Sequence, residues 1–348
     1  MSVFFWLIVL LAVYNMRIRK DGFFADYIDY RNIQPIKGIF ILLIFISHFV
    51  QYVNLKGVWD APYFQIRGYL GQLVVVPFLF YSGYGIAESI RQKGHNYVRN
   101  MPVHRMLKVI FQFDIAVVVY AVQRYSMGNT FGFKRFLLSL IGWESVGNSN
   151  WYIFAMLCMY LVTWLSYFVF RRSKTVPLVT STVLTLVYIV LMKQVKDTYW
   201  CNTILAYTAG MWYSYYKEKL EKWIFAGEWR YMLCLAGALS GLILLRPYWA
   251  SLKVYEIVSV LFAAVCVLIT MKVQITNRFL AYCGEHLFSL FILQRLPMIA
   301  FNNSAIEKRT GLFFVVCLVM TLILSVAFDK FTAWLWNGLF RCTKAKSE

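Results

Sequence analysis

The sequence predicts an all-α protein, a polytopic membrane helix bundle, and three observations carry that prediction. Of 348 residues, 60% are hydrophobic and only 15% charged, with mean hydropathy +0.59, whereas soluble globular chains run at roughly 45–50% apolar and 25% charged. About eleven apolar runs lie along the chain, and spanning hydrocarbon as a helix takes roughly 20 mostly apolar residues. The basic residues alternate between rich and poor linkers from one run to the next. Disorder, collagen-like repeats and coiled coil are excluded.

The first run, 2–16, has no basic residue before it and Arg17, Arg19 and Lys20 after it. That placement predicts an uncleaved helix with its N-terminus outside rather than a signal peptide. Runs follow at 36–54, 70–90, 107–125, 151–170, 176–192, 199–216, 231–245, 254–272, 285–303 and 312–336, the first and the one at 231–245 being short. Linkers are too brief to hold a separate soluble domain. The longest, 126–150, contains Gly128, Asn129, Gly142, Gly147 and Asn148, and reads as an ordered or partly re-entrant external loop. Seven cysteines, Cys158, Cys201, Cys234, Cys266, Cys283, Cys317 and Cys342, are scattered with no CxxC and no metal spacing; they read as small apolar core residues. No metal site is expected.

A formal charge of +19 in a soluble chain would point to nucleic acid. Its distribution points to a membrane and to no nucleic-acid partner. Alternate linkers hold Arg17, Arg19, Lys20, Arg31; Arg91, Lys93, Arg99, Arg105, Lys108; Arg171, Arg172, Lys174; Lys217, Lys219, Lys222, Arg230; Lys272, Arg278; and Arg341, Lys344, Lys346, 21 basic residues. The intervening linkers hold ten, among them Lys56, Arg67, Lys134, Arg135, Lys193, Lys196 and Arg246. The positive-inside rule then puts the rich linkers and the C-terminus in the cytoplasm, in a cell (inner or plasma) membrane.

Ionisable groups inside spans are costly and mark function. His48, in IKGIFILLIFISHFV, is the one histidine well inside an apolar run; His95 and His104 fall in a basic linker and His286 at a helix entrance. Lys37 precedes His48 by eleven residues, which on an α-helix returns to within roughly 20° of the same face, about 16 Å along the axis. One face thus carries a cation at the cytoplasmic surface and an imidazole three turns deeper, a layout for a long anionic ligand. The bland alternatives are an interhelical hydrogen bond for His48 and a snorkelling Lys37. Asp114 and Arg295 fall near mid-span and read either as a structural pair neutralising each other across the bundle or as functional groups. Arg124 and Glu88 lie nearer helix ends and read as solvated. The many aromatics read as interfacial belts and packing.

The stretch from Lys37 to His48 resembles the Arg-x10-His signature of the acyltransferase-3 family of membrane acyltransferases, of the polysaccharide O-acetyltransferase type, with Lys in place of Arg. The helix VVVPFLFYSGYGIAESI is similar to that family's Phe-Phe-x-x-Ser-Gly-aromatic segment through Phe80, Ser82, Gly83 and Tyr84. HRMLKVI matches its basic segment at Arg105 and Lys108, SNWYIFAML its Trp-aromatic helix entrance at Trp151 and Tyr152, and YCGEHLFSLFILQRLP its late segment. Gln294 stands where the family usually has a second histidine, so no role carries over to it.

The resemblance implies ten family helices plus one extra: residues 1–29 as an extra helix and cytoplasmic linker, 30–340 as the acyltransferase domain and 341–348 as a cytoplasmic tail. It implies transfer of an acyl group, usually acetyl, from cytoplasmic acyl-CoA to a hydroxyl of a cell-surface polysaccharide or its lipid-linked precursor. His48 suits that chemistry, either as general base, with a reference pKa near 6.5, or as a covalent acyl carrier. Lys37, Arg105 and Lys108 would meet the coenzyme's phosphates; Ser82 and Gly83 would line its path; Tyr84, Glu88, Asp114, Arg124, Trp151 and Arg295 are polar candidates for substrate or structure. The rival readings are a transporter or flippase of a lipid-linked saccharide using Asp114 and Arg295, against which no internal repeat is visible, and a non-catalytic scaffold of the same fold.

Overall fold

The computed structural model describes residues 1–55 and 57–344; Lys56, Lys346 and the side chains of Arg341, Cys342 and Lys344 lie outside the described residues. The chain opens with α1 (Ser2–Val13), a two-residue strand β1 (Arg17–Ile18) and α2 (Tyr30–Phe49). α3 (Ala61–Leu70) leads through a 3-10 turn into α4 (Val76–Lys93), and α5 (His95–Met101) through a π-helical turn over Pro102–Leu107 into α6 (Lys108–Ser126). Next come α7 (Phe133–Leu140), α8 (Trp151–Val169), α9 (Val176–Val195), α10 (Leu205–Ile224), α11 (Glu228–Leu244) and α12 (Leu252–Lys272). Strand β2 (Val273–Gln274) pairs antiparallel with β1, Arg17 opposite Gln274. α13 (Arg278–Glu285), α14 (Leu287–Leu293), α15 (Arg295–Phe301) and the long α16 (Thr310–Lys344) complete the chain.

Among the described residues, seven helical stretches are long and apolar enough to cross a membrane: Tyr30–Phe49, Val58–Lys93, His95–Ser126, Trp151–Val169, Val176–Val195, Leu252–Lys272 and Thr310–Leu339. Ser2–Val13 and Leu287–Phe301 are apolar but shorter. The protein is an all-helical membrane bundle, as its composition requires. The six described cysteines are all free.

Linkers separated by charge count are also separated in space. At one end, Arg19 N–H donates to Lys272 O at 2.9 Å, and Lys272 Nζ pairs with Glu228 at 2.6 Å, so three basic-rich linkers meet. At the other end the Met1 amino group pairs with Asp60 at 2.5 Å, Arg246 reaches Gly68 O at 3.1 Å and Lys196 reaches Trp143 O at 2.9 Å. The parity of the basic residues therefore follows the passage of the chain from one end to the other.

Two helix pairs set the core. A Cβ added to Gly83 on α4 would lie 1.9 Å from Tyr207 O on α10, and one on Gly210 would lie 2.1 Å from Phe80 O, so the two backbones touch through reciprocal glycines. Gly38 on α2 and Gly284 on α13 do the same, at 1.9 Å from Leu280 O and 2.0 Å from Gln34 O. Close approach at small residues is how helices gain contact where lipid offers no hydrophobic drive.

The run at 285–303, expected as one helix, is broken into α14 and α15 at Gln294. Pro297 explains the break: it has no N–H for Leu293 O, and its ring collides with that carbonyl. Freed backbone groups must find partners away from water. Tyr120 of α6 donates to Ile292 O at 2.9 Å, Gln123 to Leu296 O at 2.8 Å, and Gln294 Nε2 to Phe291 O at 2.9 Å.

Candidate active site

His48 stands in the last turn of α2, opposite the break, with a buried Nδ1 that has no hydrogen-bond partner. Gln294 faces the ring, and its Oε1 is likewise buried and unpartnered. The Phe291 ring lies 6.3 Å from that of His48. Buried polar atoms without partners are costly, and here the imidazole and the amide lie near enough for each to serve the other.

A cavity of about 610 Å³ enters from the basic end and stops at Phe291 and Tyr152, whose rings are 5.3 Å apart. Lys37, Ser82, Tyr84, Gly85, Glu88, Arg91, Arg105, Tyr160 and Lys217 line it. Arg91 is paired with Glu88 at 2.8 Å and Lys217 with Glu221 at 3.6 Å. Lys37 contacts only the Tyr30 ring, 5.7 Å from its centroid, and Arg105 donates to Tyr97 OH at 3.0 Å. Neither has a carboxylate within ion-pair distance among the described residues, and Asp29, which lines the same cavity, is in no ion pair there either.

A second pocket, about 390 Å³, opens at the opposite end and is lined by Tyr52, Arg124, Asn129, Gly147, Arg295 and Asn302 among others. Arg295 directly follows Gln294, so His48 sits between the two cavities and lines neither. A larger space of about 740 Å³ between α10, α11 and α12 is lined by apolar and aromatic side chains with no histidine or charged group, and offers no acid–base chemistry.

Lys37, Arg105, Ser82 and Tyr84, all candidates from the sequence, share one cavity, and Glu88 joins them. Ser82 Oγ is 3.2 Å from Tyr160 OH, in hydrogen-bond contact. Glu88 is not a solvated end residue, being held by Arg91 and by Ser214 Oγ at 2.8 Å. Arg124 is likewise a pocket residue.

Others do not. Gly83 meets Tyr207 rather than a ligand, and Gly85, a half-turn on, is the glycine of the cavity wall. Lys108 is exposed and off the cavity, while Arg105 and Val109 line it; the wide π turn ending at Leu107 rotates the register that an α-helical reading assumes. Trp151 packs edge-on against Tyr199, 6.1 Å between centroids, and its neighbour Tyr152 enters the site. Asp114 and Arg295 are not paired: Arg295 binds Gln51 Oε1 at 2.7 Å, and Asp114 Oδ1 has no partner. The face of α6 that reaches α15 is that of Gln123, nine residues and thus about 180° from Asp114.

Sequence reasoning gave Gln294 no role and missed Phe291, Tyr160, Tyr120 and Gln123. The proline three residues after Gln294 was the available signal, since it forces a helix break at membrane depth and such breaks gather at binding sites.

The fold and site together define a helical membrane protein with a histidine between two opposed cavities. The chain belongs to the acyltransferase-3 family: the family model described as an acyltransferase domain matches residues 30–330, which leaves α1 and the end of α16 outside. No curated protein and no solved structure matches it. The protein is therefore a membrane acyltransferase.

Proposed function

We propose that this enzyme moves an acyl group, most simply acetyl, from acyl-CoA on the cytoplasmic side to a hydroxyl of a cell-surface saccharide or its lipid-linked precursor on the other. The observation that carries the reading is the position of His48 between a cavity with two unpaired cations and a pocket at the opposite end. Lys37 and Arg105 hold the coenzyme's phosphates, as charge-assisted donors do. The pantetheine arm runs past Ser82 and Tyr160, and rotation of the Phe291 ring admits the thioester to His48. In this reading the basic end is cytoplasmic, which the positive-inside rule supports, and the N-terminus lies on the other side of the membrane.

Neutral His48 accepts the proton of the acceptor hydroxyl as its oxygen attacks the thioester carbonyl. The carbon–sulfur bond breaks, the acyl group passes to that oxygen, and the proton leaves with the coenzyme thiolate. Gln294 orients the imidazole by hydrogen bonding, a task that tolerates the amide in place of a second histidine.

Membrane vesicles of defined sidedness test the reading. Labelled acetyl-CoA supplied to inside-out vesicles should label glycan in their lumen, and the same donor outside right-side-out vesicles should not. Equal labelling from either side would refute the assignment of the cavities.

A further inference from the structure

We infer that the pocket opposite the basic end binds an anionic group, and hence that the acceptor is an acidic saccharide whose charge lies close to the acylated hydroxyl. The inference rests on the acyl-transfer reading above for the identity of the ligand, and on the pocket alone for its charge. Arg124 and Arg295 both line this space of about 390 Å³, and no aspartate or glutamate does. Arg124 has no partner for its guanidinium among the described residues. Arg295 gives one Nη to Gln51 at 2.7 Å, and its Nε is buried and unpartnered.

Of the acids at this end, Glu144 lies 3.8 Å from Lys196 and Asp60 holds the Met1 amino group, while Glu307 accepts from the N–H of Asn303 at the pocket wall without lining the pocket itself. Two guanidinium groups facing one cavity repel each other, and a shared anion turns that repulsion into attraction. Their planar forks suit the paired oxygens of a carboxylate or phosphate. Asn129, Asn302 and Asn303, on the same wall, offer donors and acceptors for sugar hydroxyls. A volume in the ~300–1,000 Å³ range of small-molecule sites suits one or two sugar rings.

Arg295 also fixes the distance from charge to chemistry. It follows Gln294, which faces His48, so an anion held by Arg295 brings the hydroxyls of its own ring, or of the next, to the imidazole. The anion can be the carboxylate of a hexuronate or the phosphate of a glycerol phosphate substituent.

The full-length protein in nanodiscs distinguishes these. Three probes are used: a glucuronate-terminated disaccharide, the same disaccharide with its carboxyl reduced to the alcohol, and a glycerol phosphate-substituted disaccharide. At least one charged probe should bind about tenfold or more tighter than the reduced one, the scale of a single charge-assisted pair; the tighter of the two names the acid. Arg124→Gln and Arg295→Gln should each remove that preference, and Arg124→Lys should retain most of it. Arg124→Gln changes no helix-break contact, so it stays informative if Arg295→Gln fails to fold. Equal affinity for charged and reduced probes, binding of neither charged probe, or a preference intact in Arg124→Gln would overturn the inference. His48→Ala should keep the preference; a preference without acyl transfer to either charged glycan would sink the saccharide-acylation reading and leave the anion site standing.

Discussion

Replacing Gly83 with alanine separates a packing role from a ligand role at one atom. The added Cβ would lie 1.9 Å from Tyr207 O and 2.8 Å from Tyr207 C, both backbone. No side-chain rotation relieves a contact with backbone. To bring it to 3.0 Å, the shortest separation real Cβ atoms show, α4 and α10 must part by about 1 Å. Helix α4 carries Ser82, Tyr84 and Gly85 in the cavity wall, so the shift also moves the site. Overpacking of this kind costs ~1–3 kcal/mol, occasionally more, and in a large domain each kcal/mol lowers Tm by roughly 2–4 °C. Gly85→Ala is the control, because nothing lies within 4 Å of its added Cβ although it lines the same cavity. Thermal unfolding of the detergent-solubilised protein, followed by the loss of the monodisperse peak on size exclusion, reads both. Gly83→Ala should melt several degrees lower and Gly85→Ala within error of the native protein. Equal stability of the two would refute the close contact of α4 with α10.

Other outcomes follow from single contacts. Lys37→Gln should raise KM for acyl-CoA about tenfold, one charge-assisted contact of ~1.5–3 kcal/mol being lost, and Lys108→Gln should leave it unchanged; a KM effect confined to Lys108 would reverse the assignment. Glu256, buried on α12, accepts from the N–H groups of Ile204 and Leu205 at 3.3 and 2.9 Å and so caps α10. Its replacement by alanine should cost ~1–3 kcal/mol, and an unchanged melting temperature would refute the cap. Tyr120→Phe strands Ile292 O beside the helix break and should lower Tm while leaving KM for the donor intact. Incubation with labelled acyl-CoA and no acceptor should leave no acyl group on the protein, as intact-mass spectrometry would read; a stable acyl adduct at His48 would favour the covalent route over direct transfer.

The bundle was legible in the sequence because lipid imposes simple demands. Hydrophobic length gives the helices, and the alternation of Arg and Lys sorts their linkers into two groups, members of which meet through the contacts of Lys272 with Glu228 and of Met1 with Asp60. Lys37 and His48 were legible as one face because α2 runs unbroken between them, its one proline, Pro35, lying before both. Residues beyond an irregularity were not. The π turn moves Lys108 off the cavity, and the break before Pro297 turns Arg295 toward Gln51 rather than Asp114. Gly83 shows a different limit: a glycine in a helix signals close approach, and only the neighbour reveals whether a ligand or another helix approaches. Gln294 had no legible role because an amide is unremarkable until a buried imidazole is found beside it.

His48 is the residue on which the account depends most directly. The decisive measurement is the rate of label transfer from acyl-CoA to glycan by purified native protein and by His48→Gln, with folding checked by melting temperature and donor affinity by direct binding. Loss of the proton acceptor should lower the rate by about 10²-fold or more with donor affinity and Tm essentially unchanged. Transfer at the native rate by a folded His48→Gln protein would contradict the account.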